Sequence, residues 1–205
     1  MSNNSTSMFT IPYKQYSINN WEIKKKVLMD AIPFEYGFSD FYENREKGIP
    51  SYMEAVGEII SPSMQDFAEN YPCPVYITSL WYEKSMRFDG HGPHNHGQTG
   101  YSGIIYVDYD SSVHEPTRFF SPFSDPANGD LIDFQPVIRE GDLILFPSFL
   151  LHEAPINRST KQRVVISFNI MGEDVMKAYQ SGLEKKPLTR DDFNAEPPKP
   201  PQVNQ

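Results

Sequence analysis

The chain is nearly without cysteine: Cys73 is the only one in 205 residues, which excludes an internal disulfide. No apolar run is long enough to span a bilayer, so a membrane is not expected as a partner. Positive charge is also in short supply. Eighteen lysines and arginines face 27 aspartates and glutamates, a formal charge of −9, which leaves no general basic field for a nucleic-acid backbone. The opening Met1-Ser2-Asn3-Asn4-Ser5-Thr6-Ser7 is polar and lacks an apolar signal core. These absences predict a soluble protein working in a reducing, aqueous compartment, the cytoplasm. An internal repeat is missing too, which argues for one domain of ordinary size rather than an array.

What the chain does have is aromatic and proline residues: 14 Phe, 12 Tyr and 18 Pro. Many prolines fall in turn-like clusters, which favours short strands with many connections over a helical bundle. The first third, residues 1–72, reads as a support of strand and helix packed on the rest. One helix starts near Asn19 or Asn20 and places Ile18, Trp21, Val27 and Leu28 at apolar positions. A second runs from Ser51 to about Asn70, restarting at Ser61-Pro62, where Ser as N-cap and Pro at the first helical position fit a new start. From Cys73 the pattern becomes extended. Strand-like runs follow at 101–109, 117–120, 131–137, 142–146, 149–153 and 163–171, separated by Gly and Pro clusters, as in an antiparallel sandwich or barrel spanning residues 73–184. Residues 185–205 are rich in Pro, Asn and charge and are expected to be a disordered tail.

The run 163–171 alternates Arg163, Val165, Ser167 and Asn169 with Val164, Ile166, Phe168 and Ile170. One face is apolar and the other mostly polar. If the polar face lines a barrel mouth, the apolar face must be covered from outside, and the N-terminal helices are available for that.

Histidine supplies the chemistry. In His94-Asn95-His96 two imidazoles at i and i+2 of an extended segment point to one face, about 7 Å apart, so both can converge on one ion. His152 would close the site. Three protein ligands leave coordination positions free, as a reactive metal requires. Asp89-Gly90-His91 offers a second i, i+2 pair, and either residue could replace a member of the set. His114 reads as a turn residue with no role. The stretch from Pro155 to Gln162 reads as a hairpin loop, which makes His152 and Arg163 cross-strand neighbours. Arginine is permanently charged and forked to match a carboxylate, so Arg163 suits the far end of a small dicarboxylate held at the metal.

These residues resemble the Fe(II)- and 2-oxoglutarate-dependent oxygenases, and within them a branch with a His-x-His then Ser-Gly-x-x-Tyr signature, reported in bacteria and their viruses. The match runs through Trp81, Pro93-His94-Asn95-His96, Ser102-Gly103-Ile104-Ile105-Tyr106, Gly141 to Ser148, His152 and Arg163 to Asn169. The resemblance implies a mainly β fold with flanking N-terminal helices around a double-stranded β-helix core of jelly-roll or cupin-like type. It implies Fe(II) at His94, His96 and His152, 2-oxoglutarate as cosubstrate with its distal carboxylate on Arg163, and dioxygen as oxidant. Tyr106 is similar in place to a tyrosine that assists this carboxylate in prolyl hydroxylases, and Ser167 and Asn169 are weaker candidates on the same face. Most of the superfamily has Asp or Glu where this chain has His96, which leaves the centre one unit more positive. Halogenases place a small residue there, so hydroxylation is the implied outcome, with succinate and CO2 released. The substrate is expected to be a peptide or a small metabolite, and oligomeric state is not legible. Two other readings stay open: a cupin-like metalloenzyme that ignores 2-oxoglutarate, and a non-catalytic jelly-roll module of binding or virion type.

Overall fold

Residues 10–183 are described by the computed structural model. The polar opening and the expected tail lie outside the described residues. A short strand β1 (Lys14–Ser17) leads into three helices, α1 (Trp21–Ala31), α2 (Phe41–Lys47) and α3 (Met53–Glu69). The β region follows: β2 (Val75–Ser85), β3 (His91–His94), β4 (Tyr101–Asp108), β5 (Arg118–Ser124), β6 (Leu131–Phe134), β7 (Asp142–Pro147), β8 (His152–Ala154) and β9 (Arg163–Gly172), then α4 (Glu173–Leu183). One sheet has the order β1-β7-β4-β9-β2 and the second β3-β8-β5-β6, with antiparallel pairing throughout. This is the mainly β, double-stranded β-helix architecture with helices outside that the sequence predicts.

Alternation along the strands builds two cores. Ile105, Val107, Leu143, Leu145, Val164, Ile166, Phe168 and Ile170 turn outward and pack with Leu28 of α1 and Val56, Ile59, Ile60 and Phe67 of α3. Ile104, Tyr106, Ile144, Phe146 and Val165 turn inward and meet Phe119 from the second sheet. Each large apolar side chain so buried contributes roughly 1.5–3 kcal/mol, which is what holds the helices over the first sheet.

Several local expectations differ. Helix α3 is continuous through Ser61-Pro62. Its buried residues keep one face across the proline, while Pro62 and Glu58 are exposed, so the carbonyl that loses its partner can meet water. Val27 is exposed rather than core. Asn20 does precede α1, but in the left-handed region (φ 55°) and with no side-chain cap bond. Strand β8 begins at His152, three residues later than expected, and Phe149 is exposed.

Gly103 shows why glycine follows Ser102 on β4. It lies opposite Phe168 in the β4–β9 register, and a Cβ there would sit 2.2 Å from the phenyl Cζ. Phe168 is fully buried and cannot step aside. Gly103→Ala is therefore expected to cost about 1–3 kcal/mol by overpacking, read as a lower urea midpoint with an unchanged slope.

Candidate active site

The second sheet sets the histidines. His94 ends β3 and pairs in register with His152, the first residue of β8. Beyond the strand, the His96 N–H donates to the Ser148 carbonyl at 2.9 Å, which keeps the segment extended and returns the third ring to the same side. Ring centroids lie 5.1 Å apart for His94 and His96, 4.4 Å for His94 and His152, and 5.0 Å for His96 and His152. One ring nitrogen from each lies within 4.8 Å of the others.

Hydrogen bonds around the rings decide which nitrogens face inward. His94 Nδ1 donates to the Gly92 carbonyl at 2.8 Å, and His152 Nδ1 to the Leu150 carbonyl at 2.9 Å. His96 Nδ1 donates to the Asn169 side-chain oxygen at 2.7 Å. With every Nδ1 carrying the proton, each Nε2 keeps a lone pair, which is how metal-binding imidazoles are held. Burial lowers the pKa of all three, that of His152 to about 3. They are neutral at neutral pH, the form that a metal accepts. Three convergent neutral imidazole donors fit a divalent first-row metal.

The amide of Asn169 is itself fixed. Its oxygen also accepts from Ser102 Oγ at 3.0 Å, and its nitrogen donates to Ser79 Oγ at 2.9 Å. Ser102, the serine of the Ser-Gly pair, further contacts Ser148 Oγ at 3.0 Å. Asn169 thus stands behind His96 and outside the inner cavity, whereas Arg163, Tyr106 and Ser167 line that cavity together with the three histidines.

Arg163 lies in the cavity wall, 4 % exposed. Its guanidinium donates to the Glu115 carbonyl at 3.1 Å and to Ser85 Oγ at 3.4 Å, and burial holds its pKa below the usual value. Among the described residues no carboxylate lies within ion-pair distance of it. The fully buried Tyr106 hydroxyl donates to Thr117 Oγ1 at 2.9 Å and accepts from the Thr117 N–H.

The expected hairpin between His152 and Arg163 is not there. β8 pairs with β3 and β5 in the second sheet, and β9 with β4 and β2 in the first. The loop crosses between sheets, so the two side chains share the cavity from opposite walls. Arg163 pairs instead with Ser85.

Asp89 stays out of the histidine group, its carboxylate accepting from the Met86 N–H at 2.8 Å. His91 stacks on His94 with centroids 3.9 Å apart and contacts Glu83 Oε1 at 3.2 Å. His114 is buried, accepting from the Asp110 N–H and donating to the Lys161 carbonyl, a satisfied structural histidine. Sequence reasoning missed Glu83, which is 7 % exposed and lines the cavity. Its signal was Glu83 directly after Leu80-Trp81-Tyr82, on the strand face that also carries Trp81 and Ser85.

Comparison with known proteins agrees with this geometry. Residues 79–169 match the profile of the family described as "Putative 2OG-Fe(II) oxygenase". No curated protein matches by sequence. Among solved structures, the epimerase SnoN from nogalamycin biosynthesis, in complex with Fe3+, alpha ketoglutarate and nogalamycin RO, superposes with a TM-score of 0.58 at 12% identity, covering 79% of each chain. The carbocyclase SnoK of the same biosynthesis gives 0.56 at 10% identity, covering 79% of this chain and 80% of its own. A truncated viral collagen prolyl hydroxylase from Paramecium Bursaria Chlorella virus-1 gives 0.52 at 12% identity, covering 84% and 98%. At such identities the likeness establishes the fold. The fold, the matched segment and the histidine cluster are each similar to those of the 2OG-Fe(II) oxygenases. The cofactors of that family are Fe(II), 2-oxoglutarate and dioxygen, and the donor set described above fits them.

Proposed function

We propose that this protein is a 2-oxoglutarate-dependent hydroxylase acting on a peptidyl or small-molecule substrate, with His94, His96 and His152 holding Fe(II) and Arg163 receiving the distal carboxylate of 2-oxoglutarate. The observation that carries the reading is Arg163, a buried cation with no carboxylate in ion-pair distance among the described residues, in one cavity with three convergent imidazoles. An uncompensated buried charge costs several kcal/mol, so its place in the wall is best explained by an anion that arrives with the ligand. A metalloenzyme that ignored 2-oxoglutarate would have no use for it.

When bound, Fe(II) with 2-oxoglutarate and dioxygen would supply an oxidative decarboxylation to succinate and CO2 coupled to hydroxylation of a substrate C–H bond, one oxygen atom of O2 going to succinate and the other to the product. The chain's own residues set the conditions. Arg163 orients the diacid, with Tyr106 and Ser167 beside it on the same wall. Ile104 and Val165 keep that wall apolar, which strengthens the carboxylate–guanidinium attraction by excluding water. Asn169 holds the His96 ring in place. Hydroxylation is preferred to halogenation because His96 fills the position that a halide would need. Prolyl hydroxylases among the similar folds support a hydroxylated product. A single cysteine, Cys73, and the absence of any membrane-length apolar helix among the described residues accord with a cytoplasmic setting.

Anaerobic titration of metal-free protein with Fe(II), with and without 2-oxoglutarate, tests the reading. A visible metal-to-ligand charge-transfer band is expected only when both are present. Iron binding that gives no band with 2-oxoglutarate would return the protein to the cupin-like metalloenzymes.

A further inference from the structure

Beside the histidine cluster, a groove of about 500 Å3 that Arg163 does not line opens between the segment 38–42 and the His91–His96 region. Its walls carry four aromatic side chains, Phe38, Phe41, Tyr42 and Trp81, and Phe41 meets Trp81 edge-to-face at 5.0 Å. Glu83 lines both this groove and the inner cavity. It is the acidic side chain common to the two.

The carboxylate of Glu83 is held asymmetrically. Trp81 Nε1 donates to Oε1 at 3.2 Å, and His91 Nδ1 reaches the same oxygen at 3.2 Å. Among the described residues no hydrogen bond reaches Oε2, although Glu83 is 7 % exposed. Burial acts to raise its pKa, but the hydrogen bonds and charge of His91, with the Trp81 indole, outweigh that and keep it ionised. An ionised carboxylate with one oxygen tied to the protein and the other left accessible, beside aromatic side chains, is the chemistry that receives an organic cation.

We propose that this groove binds the alkylammonium or guanidinium end of the substrate, with Glu83 Oε2 as its counter-ion and the Phe38, Phe41, Tyr42 and Trp81 rings as its walls. The inference rests on the reading of the histidine cluster as the oxygenase metal site, because that reading makes the adjoining groove the place for substrate. It narrows the substrate to a basic one. The cation lies beside His94 and His96, which also line the groove, so a carbon near the charged end is presented to the metal. The chain's charge of −9 draws cations toward it at long range.

The test is calorimetric titration of the anaerobic Fe(II)- and 2-oxoglutarate-loaded protein. One probe series is free L-arginine and L-lysine, and the other is the blocked tripeptides acetyl-Ala-Arg-Ala-amide and acetyl-Ala-Lys-Ala-amide. Each is compared with its citrulline or norleucine counterpart, whose side chain is uncharged; the blocked tripeptides also remove the α-ammonium that the free amino acids all share. At least one cationic series is expected to bind, with its neutral counterpart about 10- to 100-fold weaker, the range of one charge-assisted hydrogen bond. Glu83→Gln should erase the difference and Glu83→Asp should restore part of it. Phe41→Leu, which leaves the hydrogen bonds of Glu83 intact, should weaken the cationic probes and serves if the glutamine variant does not fold. Binding of the free amino acids alone would assign a small-molecule source, and binding of the tripeptides a polypeptide. Equal binding of charged and neutral probes, no binding of either, or a preference that survives Glu83→Gln would overturn the proposal. A charge-transfer band in wild type without cation preference would remove the groove assignment alone. A Glu83-dependent preference without the band would remove the oxygenase reading and leave the groove.

Discussion

His152→Ala is expected to abolish succinate formation and to lower Fe(II) affinity by more than the roughly 10- to 100-fold that loss of an outer hydrogen-bonding partner produces. Asn169→Ala supplies that comparison in the same protein, because it removes one of the two partners of His96 Nδ1, leaving Ser102 Oγ at 2.9 Å, and no imidazole. His152 is 3 % exposed, and its ring packs against Phe146 at 4.8 Å and Phe119 at 6.0 Å, so alanine also leaves a cavity. His152→Gln separates the two effects by filling most of the space without restoring the imidazole. Competition from protons is small. Burial pushes the His152 pKa down to about 3, so at pH 6 to 8 the metal meets a ring already deprotonated at Nε2. Fe(II) titrations monitored by the 2-oxoglutarate-dependent band, run on the three variants at matched pH, measure the order wild type, Asn169→Ala, His152→Ala. Iron affinity equal in wild type and His152→Ala would remove this histidine from the metal set.

The parts of the site that sequence revealed are those written into a single strand or its neighbours. His94-x-His96 is a local pattern, and the alternation of residues 163–170 separates an inner from an outer face without reference to any partner. What depended on the path of the chain between strands was lost. Residues 155–162 can join neighbours in one sheet or step from sheet to sheet, and the composition of the loop is the same for both; the structure steps, so Arg163 reached the cavity by a route other than the one expected. Helix α2 was not foreseen because its seven residues, Phe41–Lys47, carry little apolar periodicity. Its place is set from outside, by Asp40 accepting from the Tyr52 hydroxyl and the Tyr82 N–H, and by Asn44 donating to the Leu80 carbonyl. Pro62 misled because the cost of a proline in a helix is local, whereas the burial that outweighs it belongs to the whole face of α3. Glu83 was overlooked because an acidic residue in a strand reads as solvated, and only the packing of β2 between β9 and segment 38–42 takes it out of water.

Arg163→Met should move stability and cosubstrate affinity in opposite directions. In the ligand-free protein the guanidinium is desolvated, with a carbonyl at 3.1 Å, a hydroxyl at 3.4 Å and no carboxylate in ion-pair distance among the described residues. Replacing such a cation with an apolar side chain of similar length removes a desolvation cost, so the metal-free variant is expected to melt at or above the wild-type temperature. Toward 2-oxoglutarate the effect reverses. Truncating one partner of a buried charge pair costs about 2–5 kcal/mol, thirtyfold or more in affinity. The KM for 2-oxoglutarate should rise accordingly, while Fe(II) alone binds as in wild type because the hydrogen bonds of Arg163 go to the Glu115 carbonyl and Ser85 and not to the three histidines. A ligand that binds only the folded state stabilises it in proportion to its affinity, so adding 2-oxoglutarate with Fe(II) should raise the melting temperature of wild type well above that of the variant, inverting the ligand-free order. Crossing of the two melting curves as cosubstrate is added would identify Arg163 as a residue kept for binding at the expense of stability; parallel curves would mean that its counter-ion is some other group.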